Sequence, residues 1–576
     1  MNKNGQHVPG GAAAIVTALA KAGTSVLFGV PGGGPNLDVV GAAEAAGLRF
    51  VLTHAETAAV IMAATYADLT GRPGAALVTR GPGLASAVNG IAHAALDRLP
   101  VVVIADTVRS AEAARISHQR LDPAGLGRSA GKAAITVGRD RPDEAAAEAV
   151  RLALQPPAGP VVAVMDDSAG LGPPGPDATP VPGLAGPGRT GRGDLAVLAG
   201  ALRAARRPVV LAGPGAIAHT AAIRSALAGR GLPVLHTYRA RGIMPDSAGE
   251  AAGLVTGGAM EWPLLAGADL IIGLGVDEAE MIPGAWGYTA RTLLIGGHPP
   301  GAPAYFTGAT RLRITLADAI GVLADGGGAH DWPPGAGRAV RAAVTRRLAA
   351  TATARAGALS PVQVVTAVRS RAPRDAVVTV DAGAHMLAVM PLWEVDTPRK
   401  LLISSGLATM GYALPAAIAA ALTSGGTAGG RLVIAFTGDG GLSMTLAELE
   451  TAVRLRLRIA VVVFNDATLS LIKIKQRPAG QGGTGAVGFG PVSYAAVARA
   501  MGAAGTVAGT ESELMQAVSW AAGHDGPTVI DVRTDPAAYP AIMELSRGEA
   551  GRQPVPGLQT SPEIPPGRTA TAKEHT

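Results

Sequence analysis

The sequence predicts an α/β protein built from three doubly wound parallel-sheet domains. Three observations carry this. Short runs rich in Val, Ile and Leu alternate with Ala-rich stretches of helical period along nearly the whole chain, the pattern of parallel strands covered by helices. Two Pro/Gly-rich stretches, Gly170 to Gly193 and Asp325 to Gly337, read as linkers that leave three segments of similar size. The third segment contains a strand–turn–helix–strand unit whose strands both end in polar residues. The domains are expected at 1–172, 190–335 and 355–545. Residues 546–576, rich in Pro, Gly, Thr and charge, read as a mobile tail.

Composition sets the bounds. A chain of 576 residues, 48% hydrophobic and 16% charged, is a large globular protein with ample core. Its net charge of +6 comes from scattered Lys and Arg, with no dense basic run and few aromatics, which argues against nucleic-acid binding. Without cysteine there is no disulfide, thiol nucleophile or thiolate metal site. Leu401 to Gly430 is uncharged, but its Gly, Ser, Thr and Pro suit packed core better than a membrane span. The N-terminus lacks the order of a signal peptide, so a soluble cytoplasmic protein is expected.

The first segment opens with an Ala-rich helix, Gly11 to Ala22, and a strand at Val26-Leu27-Phe28, followed by Gly29-Val30-Pro31-Gly32-Gly33. A second strand, from Phe50, ends at Thr53-His54-Ala55-Glu56 before a helix from Thr57 to Leu69. Glu56 stands at a helix start, where the dipole favours a carboxylate for purely structural reasons. Thr79-Arg80-Gly81-Pro82-Gly83 follows the next strand. The middle segment repeats strands that end in Gly turns, at Gly213-Pro214-Gly215 and Gly273-Leu274-Gly275. Such turns alone are weak evidence for a dinucleotide.

The third segment starts a helix at Leu359-Ser360-Pro361, and its strand Val377 to Val380 runs into Asp381-Ala382-Gly383-Ala384-His385. The central unit is the run Leu432 to Phe436, then Gly438-Asp439-Gly440-Gly441, a helix-period stretch from Leu446 to Leu457, a strand from Ile459 to Phe464, and Asn465-Asp466-Ala467-Thr468. Ligands of open parallel sheets sit at the carboxyl ends of strands. Glycines beside Asp439 allow a diphosphate to reach backbone N–H groups at a helix start. Asp439 and Asp466 offer hard oxygens to Mg²⁺, which takes few carboxylates and completes its shell with phosphate and water.

This unit resembles the signature of the thiamine-diphosphate-dependent enzymes: a Gly-Asp-Gly, then 27 positions from its Asp to a second polar ligand. The acetolactate synthase-like group is the nearest resemblance. It covers roughly residues 10 to 545 and makes the three domains pyrimidine-binding, central and diphosphate-binding. The family usually has Asn where Asp466 stands. The resemblance implies Asp439, Asp466 and the carbonyl of Thr468 as Mg²⁺ ligands. Cofactor contacts would come from Pro31, Ala384, His385, Ala408, Met410, Gly440, Gly441, Thr468, Leu469 and Ser470. Ser405-Gly406-Leu407-Ala408-Thr409-Met410-Gly411 resembles the family's Gly-Gly-Leu-Gly-Thr-Met-Gly, in which Met410 is the wedge that folds the cofactor. Glu56, ten residues before Tyr66-Ala67 and ahead of the Gly-Pro-Gly loop, is implied as the acid that bonds the pyrimidine, with Gln119 near the reacting carbon.

Several positions depart from the pattern. His54-Ala55-Glu56 replaces Arg-His-Glu, Ser86 and His93 stand where Asn and Asp are common, and Lys475 lies where acetolactate synthases carry Trp. Val276-Asp277-Glu278 is not their flavin-associated pattern, so FAD is not expected. The resemblance implies a decarboxylase or carboligase acting on a 2-keto acid, with sites shared in a homodimer or homotetramer. Lys473 and Lys475 leave open an anionic-substrate synthase or aldehyde lyase, and the departures leave open a non-catalytic cofactor-binding homologue.

Overall fold

The computed structural model describes residues 10–108, 114–166, 191–281, 284–297, 305–326, 329–423, 430–476, 484–548 and 552–558. Most of Gly170 to Gly193 and everything beyond 558 lie outside them.

Each segment folds into a six-stranded, wholly parallel sheet. The first holds β1 (Val26–Val30), β2 (Arg49–Leu52), β3 (Gly74–Val78), β4 (Val101–Asp106), β5 (Ala133–Val137) and β6 (Val161–Met165), ordered β2-β1-β3-β4-β6-β5. The second holds β7 (Pro208–Ala212), β8 (Val234–His236), β9 (Ala251–Leu254), β10 (Leu270–Leu274), β11 (Arg291–Ile295) and β12 (Thr310–Leu312), ordered β12-β11-β10-β7-β8-β9. The third holds β13 (Val377–Val380), β14 (Leu401–Ile403), β15 (Val433–Gly438), β16 (Ile459–Asn465), β17 (Ala504–Ala508) and β18 (Thr528–Arg533), ordered β14-β13-β15-β16-β18-β17. The first and third sheets therefore share one topology, strand for strand. The second has the order of a dinucleotide-type fold.

Strands buried on both faces explain the continuous apolar runs: β3, β4, β15 and β16 are buried along almost their full length. Helix Glu56–Thr70 and helix Ala413–Thr423 belong to different sheets yet pack together in one core that holds Ala58 to Ala64 with Ala413, Ala416, Ala417 and Ala420. Alanine on both faces lets the helices approach closely, so the first and third domains are welded by small side chains. The uncharged stretch from Leu401 contributes Tyr412 to Ala421 to this packed core. Among the described residues no helix is long and apolar enough to cross a membrane.

Three expectations need correction. The helix expected from Leu446 to Leu457 is shorter, Glu448–Arg454, and a separate helix, Asp439–Thr445, precedes it and begins at the Gly-Asp-Gly itself. Tyr494 donates its hydroxyl to the Asp439 carbonyl at that helical start, at 3.0 Å. The stretch Asp325 to Gly337 is loop only in part, since Ala336 and Gly337 open helix Ala336–Ala349. Within the segment read as a tail, Val555 and Leu558 are buried against Trp286, Phe306 and Trp332 of the central core.

His236, at the end of β8, is fully buried; its Nε2 accepts from the Met244 N–H at 3.1 Å, and its Nδ1 lies 3.3 Å from the Gly253 carbonyl. Burial pulls its pKa from 6.5 to about 4. A depressed folded pKa means the contribution is complete above pH 6.5 and is lost as pH falls toward 4, about 3 kcal/mol in all. Urea unfolding between pH 7 and pH 4 should show this loss in the wild type, and His236→Gln should flatten it. Equal slopes for both proteins would remove His236 from the account.

Candidate active site at two sheet edges

The carboxyl edge of the third sheet gathers most of the residues singled out in the sequence. β15 feeds straight into the helix that starts at Asp439, and β16 ends one residue before Asp466. Asp439 is 4% exposed; its Oδ1 accepts from the Gly440 N–H at 2.7 Å and its Oδ2 from the Asp466 N–H at 3.2 Å. Asp466 in turn accepts from the Thr468 N–H at 3.1 Å and from the Ser470 hydroxyl at 2.6 Å. Ala467, between Asp466 and Thr468, adopts a left-handed φ of 55°, which turns the chain so that the Thr468 N–H reaches the Asp466 carboxylate.

Burial raises the pKa of both acids, Asp466 to about 7 with the Asp439 charge adding to the rise. Two buried carboxylates side by side are costly until a cation joins them. They suit a divalent ion held by hard oxygens. Among the described residues no group of three or more His, Cys, Asp or Glu could hold a metal ion.

Beside this pair lies a cradle that side chains would fill. A Cβ on Gly440 would stand 2.8 Å from Leu469, 3.3 Å from Phe489 and 3.5 Å from the Met410 methyl. Met410 therefore faces the start of the Asp439 helix. A Cβ on Gly441 would collide with the Asp381 carboxylate. His385 is buried and stacked on Phe464, with ring centroids 5.2 Å apart, and its Nε2 has no partner among the described residues. Burial holds its pKa down at about 4, so it is neutral, and its single ring N–H faces the Asp381 and Phe436 carbonyls. A buried ring nitrogen without a partner, a glycine cradle and paired acids fit a metal diphosphate. Ala384 is buried next to His385. The Ser470 hydroxyl is already committed to Asp466, and the Leu469 N–H to the Val487 carbonyl at 2.8 Å, so these two shape the site through the turn.

Ala408 is held at φ 53°, where the family pattern has glycine. An L-residue there is strained by about 1 kcal/mol, partly offset by the chain entropy that glycine adds to the unfolded state. Ala408→Gly should stabilise the protein by up to about 1 kcal/mol, read as a rise in thermal midpoint. A fall would contradict the strain.

The carboxyl edge of the first sheet gathers the rest. Glu56 is the first residue of helix Glu56–Thr70, half-buried, with its Oε1 3.3 Å from where a Cβ on Gly83 would lie. The loop holding Pro31 packs on Thr79, and Asn36 ties the two together: it accepts from the Gly32 N–H at 3.0 Å and donates to Asp106 at 2.8 Å, which also accepts from the Arg80 N–H. Gln119 is exposed, has φ 57°, and its carbonyl lies against Gly81. Among the described residues no hydrogen bond or ion pair joins Pro31, Glu56 or Gln119 to His385, Met410, Asp439 or Asp466 of the same chain.

The departures have structural occupations. His93 is buried, its Nδ1 2.9 Å from the Ser404 hydroxyl, and Asp97 accepts from the Gly406 N–H at 2.7 Å; together they tie the first domain to the Met410 loop. In the central domain Asp277 pairs with Arg98 at 3.0 Å and Glu278 with Arg311. Sequence reasoning missed Asp381, which accepts from the Tyr412 N–H at 2.6 Å and the Thr437 hydroxyl at 2.7 Å. It braces the Met410 loop against the end of β15. Phe489, Asn36 and Asp106 were also missed, since each acts through partners far away in sequence.

The domains that carry these two edges match known families. Three family models match, described as thiamine pyrophosphate enzyme N-terminal TPP binding domain over residues 10–126, central domain over 195–291 and C-terminal TPP binding domain over 381–532. Together they span more than half of the chain, which belongs to the thiamine pyrophosphate enzyme family. Within that family it is acetolactate synthase-like. It is 28% identical to an acetolactate synthase of Bacillus subtilis, over 91% of this chain and 93% of that protein. It is 29% identical to a catabolic acetolactate synthase of Raoultella terrigena, over 92% and 96%. The fold is similar to that of a thiamine diphosphate-dependent 4-hydroxybenzoylformate decarboxylase from Rhodococcus jostii RHA1, with a TM-score of 0.75 at 21% identity over 92% of this chain and 99% of that one.

Proposed function

We propose that the protein is a thiamine-diphosphate- and Mg²⁺-dependent decarboxylase or carboligase that acts on a 2-keto acid. The observation that carries this reading is the meeting of Asp439 and Asp466 above the Gly440–Gly441 cradle, beside Met410. When bound, the cofactor supplies an acidic ring carbon that adds to a carbonyl and a ring that accepts the electron pair left by carbon dioxide. The chain's own residues bind and orient. Asp439, Asp466 and the Thr468 carbonyl would hold Mg²⁺. The Gly440 and Gly441 backbone and His385 Nε2 would face the diphosphate, with Ala384, Leu469 and Ser470 around it. The Met410 side chain and the Ala408 carbonyl would support the pyrimidine. Glu56 would hold a proton at the pyrimidine nitrogen, Pro31 would line that pocket, and Gln119 would reach toward the reacting carbon.

Because Glu56 and Asp439 sit on separate edges without direct contact, each site would be assembled from two copies of the chain, in a homodimer or homotetramer. Exposed Leu37, Leu52 and Met444 on these edges, 57%, 44% and 61% exposed, support such pairing.

A second reading rests on cationic groups at the site. Lys473 and Lys475 are exposed past the metal turn, and Arg80 reaches Asp106 through its Nε at 3.4 Å with its side chain 35% exposed. These would favour a substrate with a second anionic group. The test is carbon dioxide release across a panel of 2-keto acids that includes pyruvate and sulfonated or phosphorylated analogues. Release from one of them names the donor; silence with cofactor bound points to aldehyde-lyase chemistry or a non-catalytic role.

A further inference from the structure

Helix Glu448–Arg454 follows the Asp439 helix after a two-residue break, yet it grips the first domain. Glu448 is 1% exposed, and its Oε1 accepts from the backbone N–H of His54 at 2.9 Å and of Ala55 at 3.0 Å. Its other oxygen accepts from the Thr451 hydroxyl at 2.7 Å. His54 and Ala55 immediately precede Glu56. Ala55 is the N-cap of helix Glu56–Thr70 and, being alanine, supplies no side-chain cap. The first N–H groups of a helix have no intrahelical partner, so a carboxylate that takes one of them also stands where the dipole favours negative charge. Two further contacts hold the same turn: His54 Nε2 lies 2.7 Å from Glu450, and Arg454 donates to the Leu52 carbonyl at 2.6 Å.

We propose that Glu448 is a positioning residue for Glu56: a buried carboxylate from the diphosphate-binding domain that caps the turn before Glu56 and so fixes where its side chain points. This rests on the role assigned to Glu56 above. In the shared-site arrangement the helix pair that carries Asp439 for one site would thereby set Glu56 for the other. A merely adhesive contact would need only the charge or the bulk of Glu448. A positioning role needs the reach of Oε1 to two amides at once.

The variants follow from that difference. Glu448→Gln keeps an oxygen for both amides and turns its amino group toward the Thr451 hydroxyl, which can accept. Glu448→Asp keeps the charge but is one methylene short, and Glu448→Ala removes both. In protein without cofactor, hydrogen exchange by mass spectrometry should show the 54–55 amides exchanging at least about tenfold faster in Glu448→Asp and Glu448→Ala, with Glu448→Gln close to wild type. With thiamine diphosphate and Mg²⁺ added, deuterium exchange at the thiazolium carbon should slow at least about tenfold in the Asp and Ala variants, while cofactor affinity changes by less than about threefold. Unchanged amide protection in Glu448→Asp, or thiazolium exchange at the wild-type rate despite lost protection, overturns the proposal. If Glu448→Ala fails to fold, Glu448→Asp and Glu448→Gln still decide it. If Glu56→Gln leaves thiazolium exchange intact, it is the reading of Glu56 that falls, and the cofactor-free amide measurement alone then decides whether Glu448 holds the turn.

Discussion

Glu56→Gln should bind thiamine diphosphate within a few-fold of wild type yet slow deuterium exchange at the thiazolium carbon by about 10²- to 10⁴-fold, the usual range for a lost acid–base group. Gln matches Glu in size and can still hydrogen-bond the pyrimidine, but it cannot hold the proton there. Stability should hardly change. Glu56 is half-buried at a helix start, beside Gly83, and is not part of a buried ion pair, so its substitution should stay within about 0.5 kcal/mol. The combination of intact fold, intact binding and lost exchange separates an enzyme from a protein that only holds the cofactor. Exchange at the wild-type rate would move the catalytic acid elsewhere.

Asp439→Ala should weaken cofactor binding in the presence of Mg²⁺ by at least about a hundredfold. It removes one of two carboxylates from a site whose outer partners alone are worth about 10- to 100-fold in affinity. It also removes the acceptor that holds the Gly440 and Asp466 N–H groups, so the two halves of the turn lose their common anchor. Asp466→Asn should behave quite differently. Asn keeps an oxygen for the ion and for the Thr468 N–H, and it relieves the repulsion from Asp439 that helps raise the Asp466 pKa to about 7. Most of the affinity should survive. Isothermal titration with Mg²⁺ and thiamine diphosphate checks both, and equal losses in the two variants would mean that Asp466 acts through its charge.

Much of the fold was legible because parallel strands buried on both faces announce themselves as unbroken apolar runs. β13 and β16 appear in the sequence nearly as the structure has them. The helix start at Ser360-Pro361 likewise follows from local chemistry, and the structure closes a capping box there with Gln363. The break at Leu446 and Ala447 was not legible in this way, because the helical period of the sequence runs through Leu446 while the chain ends one helix at Thr445 and starts the next at Glu448. The burial of Val555 and Leu558 was equally hidden, since their partners Trp286 and Trp332 lie more than two hundred residues away.

By itself the sequence determined the kind of chemistry. The acids at 439 and 466, the glycines between them and the strands on either side sit within one βαβ unit, and fixed local geometry brings such groups to a single sheet edge. Only the tertiary structure decided how those groups are oriented and held. Asp381 bracing Met410, Asn36 and Asp106 locking the Pro31 and Arg80 loops, and Glu448 reaching His54 and Ala55 all join residues remote in the chain. A hydrogen bond between distant segments leaves no periodic mark in a sequence, and its strength comes from burial that exists only once the domains have packed.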